Sequence, residues 1–142
     1  MISCHFDSAD LAEGLKGLLG RVTIGALSES LEEGVEQVRR AAEINLVQAS
    51  AGPYSTGRTA EEGVKTAIEL DADGQPVVSV GMMRGKSRAS AHGRAYIGYW
   101  LEHGIPSRGI AARPWFRPAV DAHSPGILSR FVAALKKRVG FA

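Results

Sequence analysis

Apolar residues recur at helical spacing over a long stretch in the first half of the chain, and this pattern predicts an amphipathic helix from near Leu27 to Ala51. Ser30 and Glu33 have the spacing of a capping box at its start, and Ala51-Gly52-Pro53 ends it. Glu36 and Arg40 are one turn apart and are expected to pair. The predicted apolar face consists of Leu31, Val35, Val38, Ala42, Leu46 and Ala49.

A second amphipathic pattern lies near the carboxyl end of the chain. Ser124 is its predicted cap, Pro125 takes the first helical position and Gly140 ends it. A weaker helix is predicted from Ser8 to Gly20, where internal glycines lower helix propensity. The apolar face of the carboxyl-terminal helix consists of Ile127, Phe131, Leu135 and Val139, with Leu128 and Val132 beside it.

Two β-branched stretches between these helices predict strands. The segment Val64 to Leu70 alternates, with Val64, Ile68 and Leu70 on one face, and Val77 to Val80 is short. Asp73-Gly74 between them is a hairpin signal. The sequence therefore predicts an α+β fold, in which a small antiparallel sheet packs against the long helix and the carboxyl-terminal helix. With 142 residues, one domain is expected, in which residues 1–26 form the weak helix and a connector.

An aromatic, proline-rich stretch from Ala95 to Ala119 holds both tryptophans. Its first part predicts a short helix that buries Tyr96, Ile97, Trp100 and Leu101 and stops at Gly104 in a left-handed cap.

The second part of this stretch is Arg113-Pro114-Trp115-Phe116-Arg117-Pro118-Ala119. Each arginine precedes a proline, which favours an extended backbone for Arg113 and Arg117. One interpretation is a loop that closes the core and leaves its arginines solvated. The other is an anchor for a neighbouring subunit, because Trp and Arg are enriched at interface centres. The residues alone favour the first.

The order of several motifs resembles the tail-completion, or head–tail joining, family of long-tailed phages and prophages. The motifs are Thr56-Gly57-Arg58, a strand ending Val80-Gly81, Tyr96 through Glu102-x-Gly104, and the Arg113 to Ala119 segment before a last amphipathic helix. The resemblance extends from near Leu27 to Val139.

This resemblance implies a structural virion component at the head–tail junction, made in the host cytoplasm and assembled into a homo-oligomeric ring, with a hexamer expected. Its implied neighbours are head-connector and tail-tube or tail-terminator proteins, and DNA is only a passenger in the channel. The candidate anchors at the subunit interface of such a ring are Arg113, Trp115, Phe116 and Arg117. Glu102 is a candidate partner for a neighbour's arginine, because it is a carboxylate in an aromatic segment flanked by arginines.

Charge is nearly balanced, with a net charge of +2 from 17 basic and 15 acidic residues, so no global field directs the protein to nucleic acid. The segment Gly81 to Ser87 ends in Gly-Lys-Ser, but three residues rather than four separate its glycines, so it is not a nucleotide-binding loop. In a ring, its cations and their neighbours could face the channel or a partner. These residues are Arg58, Arg84, Lys86, Arg88 and Arg94.

An alternative function uses the same charges differently. A small accessory protein could bind nucleic acid through Arg84 to Arg94 and through Lys136 to Arg138. An enzyme is the least favoured class, because no nucleophile lies beside a positioned histidine and carboxylate, and no cofactor or metal site is expected from four scattered histidines. The single cysteine, Cys4, fits a reducing compartment, and no apolar stretch approaches a membrane span.

Overall fold

The computed structural model describes residues 23–51, 63–82 and 98–140. The α+β architecture predicted from the sequence is confirmed, since one long helix packs against both an antiparallel hairpin and the carboxyl-terminal helices. In chain order the elements are α1 (Ile24–Ser50), β1 (Lys65–Leu70), β2 (Pro76–Gly81), α2 (residues 98–103), a 3₁₀ turn (Pro106–Arg108), α3 (Phe116–His123), a second 3₁₀ turn (Ser124–Gly126) and α4 (Ile127–Val139).

Helix α1 begins earlier than its predicted capping box. Thr23 is the cap, and its hydroxyl accepts a hydrogen bond of 3.1 Å from the amide of Ala26. Ser30 lies buried within the helix and donates to the carbonyl of Ala26, so the capping box at Ser30 and Glu33 is wrong. Ala26 and Leu27 pack on the core, and this contact extends the helix toward Thr23. The predicted end is confirmed, because Ala51 is extended.

Residues 116–139, which comprise α3, the second 3₁₀ turn and α4, form a carboxyl-terminal arm along α1. Its start contacts Asn45, whose amide donates to the Trp115 carbonyl, and its end reaches Glu29 through Arg138. The arm therefore runs antiparallel to α1. Its predicted start at Ser124 is wrong, because the helical path begins at Phe116 and the Ser124 side chain makes no capping hydrogen bond.

The centre of the contact between α1 and α4 is apolar and close. Phe131 is fully buried, and a Cβ added at Gly34 would lie 3.3 Å from both the Ile127 carbonyl oxygen and the Phe131 Cβ. The absence of a side chain at Gly34 thus lets the helices approach. The predicted apolar faces of both helices are buried here, although Ala49 is only partly covered and Leu128 is exposed.

The two strands pair in the predicted antiparallel hairpin, with Lys65 opposite Gly81 and Leu70 opposite Pro76. Alternate residues of β2, Pro76, Val78 and Val80, are buried. Strand β1 is less covered, and Leu70, the last residue of the strand, is 57% exposed despite sharing a predicted face with Val64 and Ile68.

A charged cluster on α1 joins this helix to the start of the hairpin. Glu36 accepts hydrogen bonds from Arg39 at 2.8 Å and from Arg40 at 2.7 Å, the second being the predicted pair. Arg39 also donates to Glu43 and to the carbonyl of Val64. The hydrogen bond from Arg39, opposed by burial and assisted by Arg40, lowers the pKa of Glu36 to about 2. Glu36 in turn raises the pKa of Arg39.

Candidate subunit interface

Helix α2 ends where the sequence predicts, at a glycine in the left-handed region. Gly104 has a φ of +72°, and an added Cβ would lie 2.7 Å from the amide nitrogen of Ala112, so no larger residue fits. The predicted buried face is only partly right: Leu101 is half-buried, but Trp100 is 44% exposed. Tyr96 and Ile97 lie outside the described residues. The most buried positions of α2 are Gly98 and Glu102, so a carboxylate, not an aromatic ring, faces inward.

The buried carboxylate of Glu102 caps helix α3. One oxygen accepts from the amides of Trp115 and Phe116 at 2.7 and 2.8 Å, and the other accepts from the amide of Arg117 at 3.0 Å. An α-helix leaves its first four amide groups without intrahelical partners, and the fourth position here is Pro118, which has no amide hydrogen. The Glu102 carboxylate therefore accepts from every amide that lacks an intrahelical partner at this helix start. The positive end of the helix dipole also stabilises its negative charge.

This cap explains why the extended backbone predicted for Arg117 is wrong. Arg117 was expected to be extended because it precedes a proline, but it is helical. Pro118 stands in the first turn, where the missing amide costs no hydrogen bond, and the Glu102 carboxylate holds the preceding amides in helical geometry. Arg113, by contrast, precedes the helix, and its amide donates to the Leu101 carbonyl at 2.7 Å.

Trp115 and Phe116 belong to the core of the chain itself. Their relative exposures are 5% and 3%, and the two rings meet edge to face at 5.5 Å. The Trp115 indole donates a hydrogen bond of 2.8 Å to the carbonyl of Gly98, which places the indole against α2. Of the two interpretations of this segment, the core-closing role therefore describes both aromatic residues within one copy of the chain.

The two arginines have different environments. Arg113 reaches the carboxyl end of α1 and donates to the Ala51 carbonyl at 3.1 Å. The negative end of the helix dipole stabilises a cation at this position. The Arg117 side chain is 81% exposed and only approaches Asp121, at 3.8 Å. Such an exposed pair contributes little to stability. Arg117 is consequently a predicted interface residue whose side chain stays open to solvent.

A loop held by main-chain hydrogen bonds connects α2 and α3, and none of the sequence motifs above predicts it. Residues 105–113, here named the Ile110 loop, are closed by reciprocal amide-to-carbonyl hydrogen bonds between Ile105 and Ile110 at 2.9 and 3.1 Å. Gly109 supplies the left-handed turn with a φ of +67°. Arg108 is exposed at the tip, and Ile110 is 50% exposed. Pro106 and Gly109 were the turn signals available in the sequence.

The remaining predicted site residues fall elsewhere. The expected channel or partner contacts, Arg58, Arg84, Lys86, Arg88 and Arg94, all lie outside the described ranges. Within the described ranges, the structure brings together Glu102, Trp115, Phe116 and Arg117 at the start of α3, with Arg113 beside them. This is one compact unit, held largely by hydrogen bonds from main-chain amides to the Glu102 carboxylate.

Comparison of the chain with known protein families, with curated proteins and with solved structures finds no match. Among the helices that the structure describes, none is both long and apolar enough to cross a lipid bilayer.

Proposed function

We propose that the protein is a structural component of the head–tail junction of a phage, a prophage or a gene-transfer particle, and that it acts by assembling into a homo-oligomeric ring. The resemblance in the order of its motifs suggests this role. The observation that carries the proposal is the cap formed by Glu102, because it joins two of the motifs that make up that resemblance. The Glu102-x-Gly104 motif and the Arg113 to Ala119 segment are one physical unit, which gives a reason for their occurrence together.

The proposed role requires a rigid framework that presents side chains to neighbouring copies. The buried members of the unit, Glu102, Trp115 and Phe116, serve this need by holding the backbone from inside. The exposed cation Arg117 and the nearby Ile110 loop are then positioned to contact a neighbour. In the assembled particle, the ring would lie between head-connector and tail-tube or tail-terminator proteins, with DNA passing through its channel.

The alternative, a small accessory protein that binds nucleic acid, has less support from the described residues. Of its three carboxyl-terminal cations, Arg138 is already paired with Glu29 at 3.1 Å and with Glu33 at 2.8 Å. Only Lys136 and Lys137 are left to attract phosphate in this cluster.

Native mass over a concentration series, with negative-stain images and a salt-titrated DNA-binding assay, tests the proposal. Closed annular particles and weak binding to free DNA are expected. A protein that stays monomeric and binds free DNA tightly at low salt, with an affinity that falls steeply as salt rises, would overturn the proposal in favour of the alternative.

A further inference from the structure

The tip of the β1–β2 hairpin is acidic and carries an exposed aliphatic side chain. Leu70 is 57% exposed, and the neighbouring Glu69, Asp71 and Asp73 are all exposed. Residues 69–75, here named the acidic tip, include no lysine or arginine. The turn is braced by Asp71, whose Oδ1 accepts from the amides of Asp73 and Gln75 at 2.9 and 2.7 Å.

The Ile110 loop has the same design with the opposite charge. Its exposed aliphatic residue lies between Arg108 and Arg113, and no acidic residue occurs from His103 to Val120. Arg113 is partly engaged with α1, whereas Arg108 is exposed at the loop tip and makes no side-chain hydrogen bond or ion pair with the described part of the chain. Reciprocal main-chain hydrogen bonds hold this loop as well.

The two surfaces are complementary in both charge and hydrophobicity. Each presents one half-exposed aliphatic side chain, Leu70 or Ile110, and charges of a single sign beside it. A contact between them would bury the aliphatic pair and leave the ionic pairs at the rim, which is the usual arrangement of a protein interface. Because hydrogen bonds already order the backbone of both surfaces, docking would cost little additional backbone conformational entropy.

We propose that the acidic tip of one copy docks on the Ile110 loop of a second copy, with Leu70 against Ile110 and with Arg108 facing the carboxylates of Glu69 and Asp73. The inference deepens the ring assembly proposed above and rests on it. Two different surfaces of one chain that bind each other form a head-to-tail contact, which closes into a ring when the rotation between copies permits.

Charge reversal followed by compensation tests the pairing. Arg108→Glu alone and Glu69→Lys with Asp73→Lys are each expected to weaken self-association about tenfold or more at low ionic strength, because they place like charges together. The chain that carries all three substitutions is expected to recover association to within about threefold of the original, since the proposed ionic pairs again join opposite charges. Asp71 is kept, because its carboxylate braces the turn. Glu32→Lys and Lys137→Glu, at exposed positions on α1 and α4, are charge-reversal controls of each sign and should leave association unchanged.

A cysteine trap gives a second readout that does not depend on strong association. Both proteins carry Cys4→Ser. One also carries Ala72→Cys, within the acidic tip and close to Leu70, and the other carries Ala111→Cys, directly after Ile110. Both positions are exposed. Mixed and oxidised, they are expected to give several-fold more covalent dimer than Ala72→Cys mixed with Ala133→Cys, an exposed position on α4.

The pairing is overturned if neither charge reversal changes association, or if the mixed cysteine proteins give no more dimer than the control pair. Rings that persist unchanged in the reversed variants would remove this interface and leave the proposed function standing. A monomer that binds free DNA tightly would remove the proposed function itself.

Discussion

The seam between α1 and α4 and the junction around Glu102 both hold the carboxyl-terminal arm against the rest of the chain, but they do so with opposite chemistry. The seam is apolar, with Phe131 fully buried over Gly34. The junction is a buried carboxylate that accepts hydrogen bonds from the amides of Trp115, Phe116 and Arg117.

The two regions are expected to differ in the substitutions that they tolerate. Apolar packing is non-directional, so a seam tolerates another hydrophobic residue of similar volume. A carboxylate that caps a helix must supply charge and both oxygens at set positions, so even an amide of nearly the same shape is a poor replacement. Four substitution experiments, in order of decreasing expected change in stability, test this difference.

Truncation of the seam at Phe131 has the largest expected effect. Phe131→Ala should lower the free energy of unfolding by about 3–5 kcal/mol, because it removes buried apolar surface and leaves a cavity. Phe131→Leu should cost less than about 1.5 kcal/mol, because volume is largely kept. Urea unfolding followed by circular dichroism measures both, and equal costs for the two variants would contradict the view of the seam as a tolerant apolar contact.

Glu102→Gln sharpens the contrast, because it changes the chemistry of the junction with little change in shape. The free energy of unfolding should fall by about 2–4 kcal/mol, since one oxygen becomes a donor that faces main-chain amides and the charge is lost. Glu32→Gln, at an exposed position on α1, is the matched control and should stay within about 0.5 kcal/mol of the original. A loss at Glu102 no larger than at Glu32 would show that the cap is unimportant.

Acid stability separates the apolar seam from the charged cluster on α1. The folded pKa of Glu36 is lowered to about 2, below its ordinary value of 4.5, so its contribution is complete above pH 4.5 and is lost as the pH falls toward 2. Because the cluster is partly solvated, this contribution is expected to be about 1 kcal/mol. Between pH 5 and pH 2, the free energy of unfolding should therefore fall less in Glu36→Gln than in the original protein, and the difference should equal the contribution of Glu36. An identical pH profile in both proteins would rule the contribution out.

The smallest effect is expected at the edge of the seam, where Arg138 bridges Glu29 and Glu33. These carboxylates raise the pKa of Arg138, chiefly through the hydrogen bonds that they accept from its guanidinium. Arg138→Gln should cost only about 0.5 kcal/mol at low salt, because both carboxylates are well exposed, and the difference should shrink in high salt. Thermal unfolding at two salt concentrations measures this, and a cost above that of Glu102→Gln would reverse the proposed ranking.

Local sequence signals, both hydrophobic periodicity and turn residues, were enough to predict much of the fold. The faces of α1 and α4, the hairpin around Asp73-Gly74, and the stops at Gly104 and Gly140 were all predicted, and the structure confirms them. Each depends on residues within a few positions of one another, because helical periodicity and turn chemistry act over short stretches of chain.

How these elements contact one another could be learned only from the three-dimensional structure. Glu102 caps a helix start 13 residues away at Trp115, and this contact makes Arg117 helical and moves the start of the arm from Ser124 to Phe116. The structure also shows that the Glu102 carboxylate, and not Trp100, faces inward from α2. A hydrogen bond between distant residues depends on the position and direction of both groups in space. Hydrophobic periodicity predicts which residues are buried, but it does not predict which distant amides will donate hydrogen bonds to a buried carboxylate.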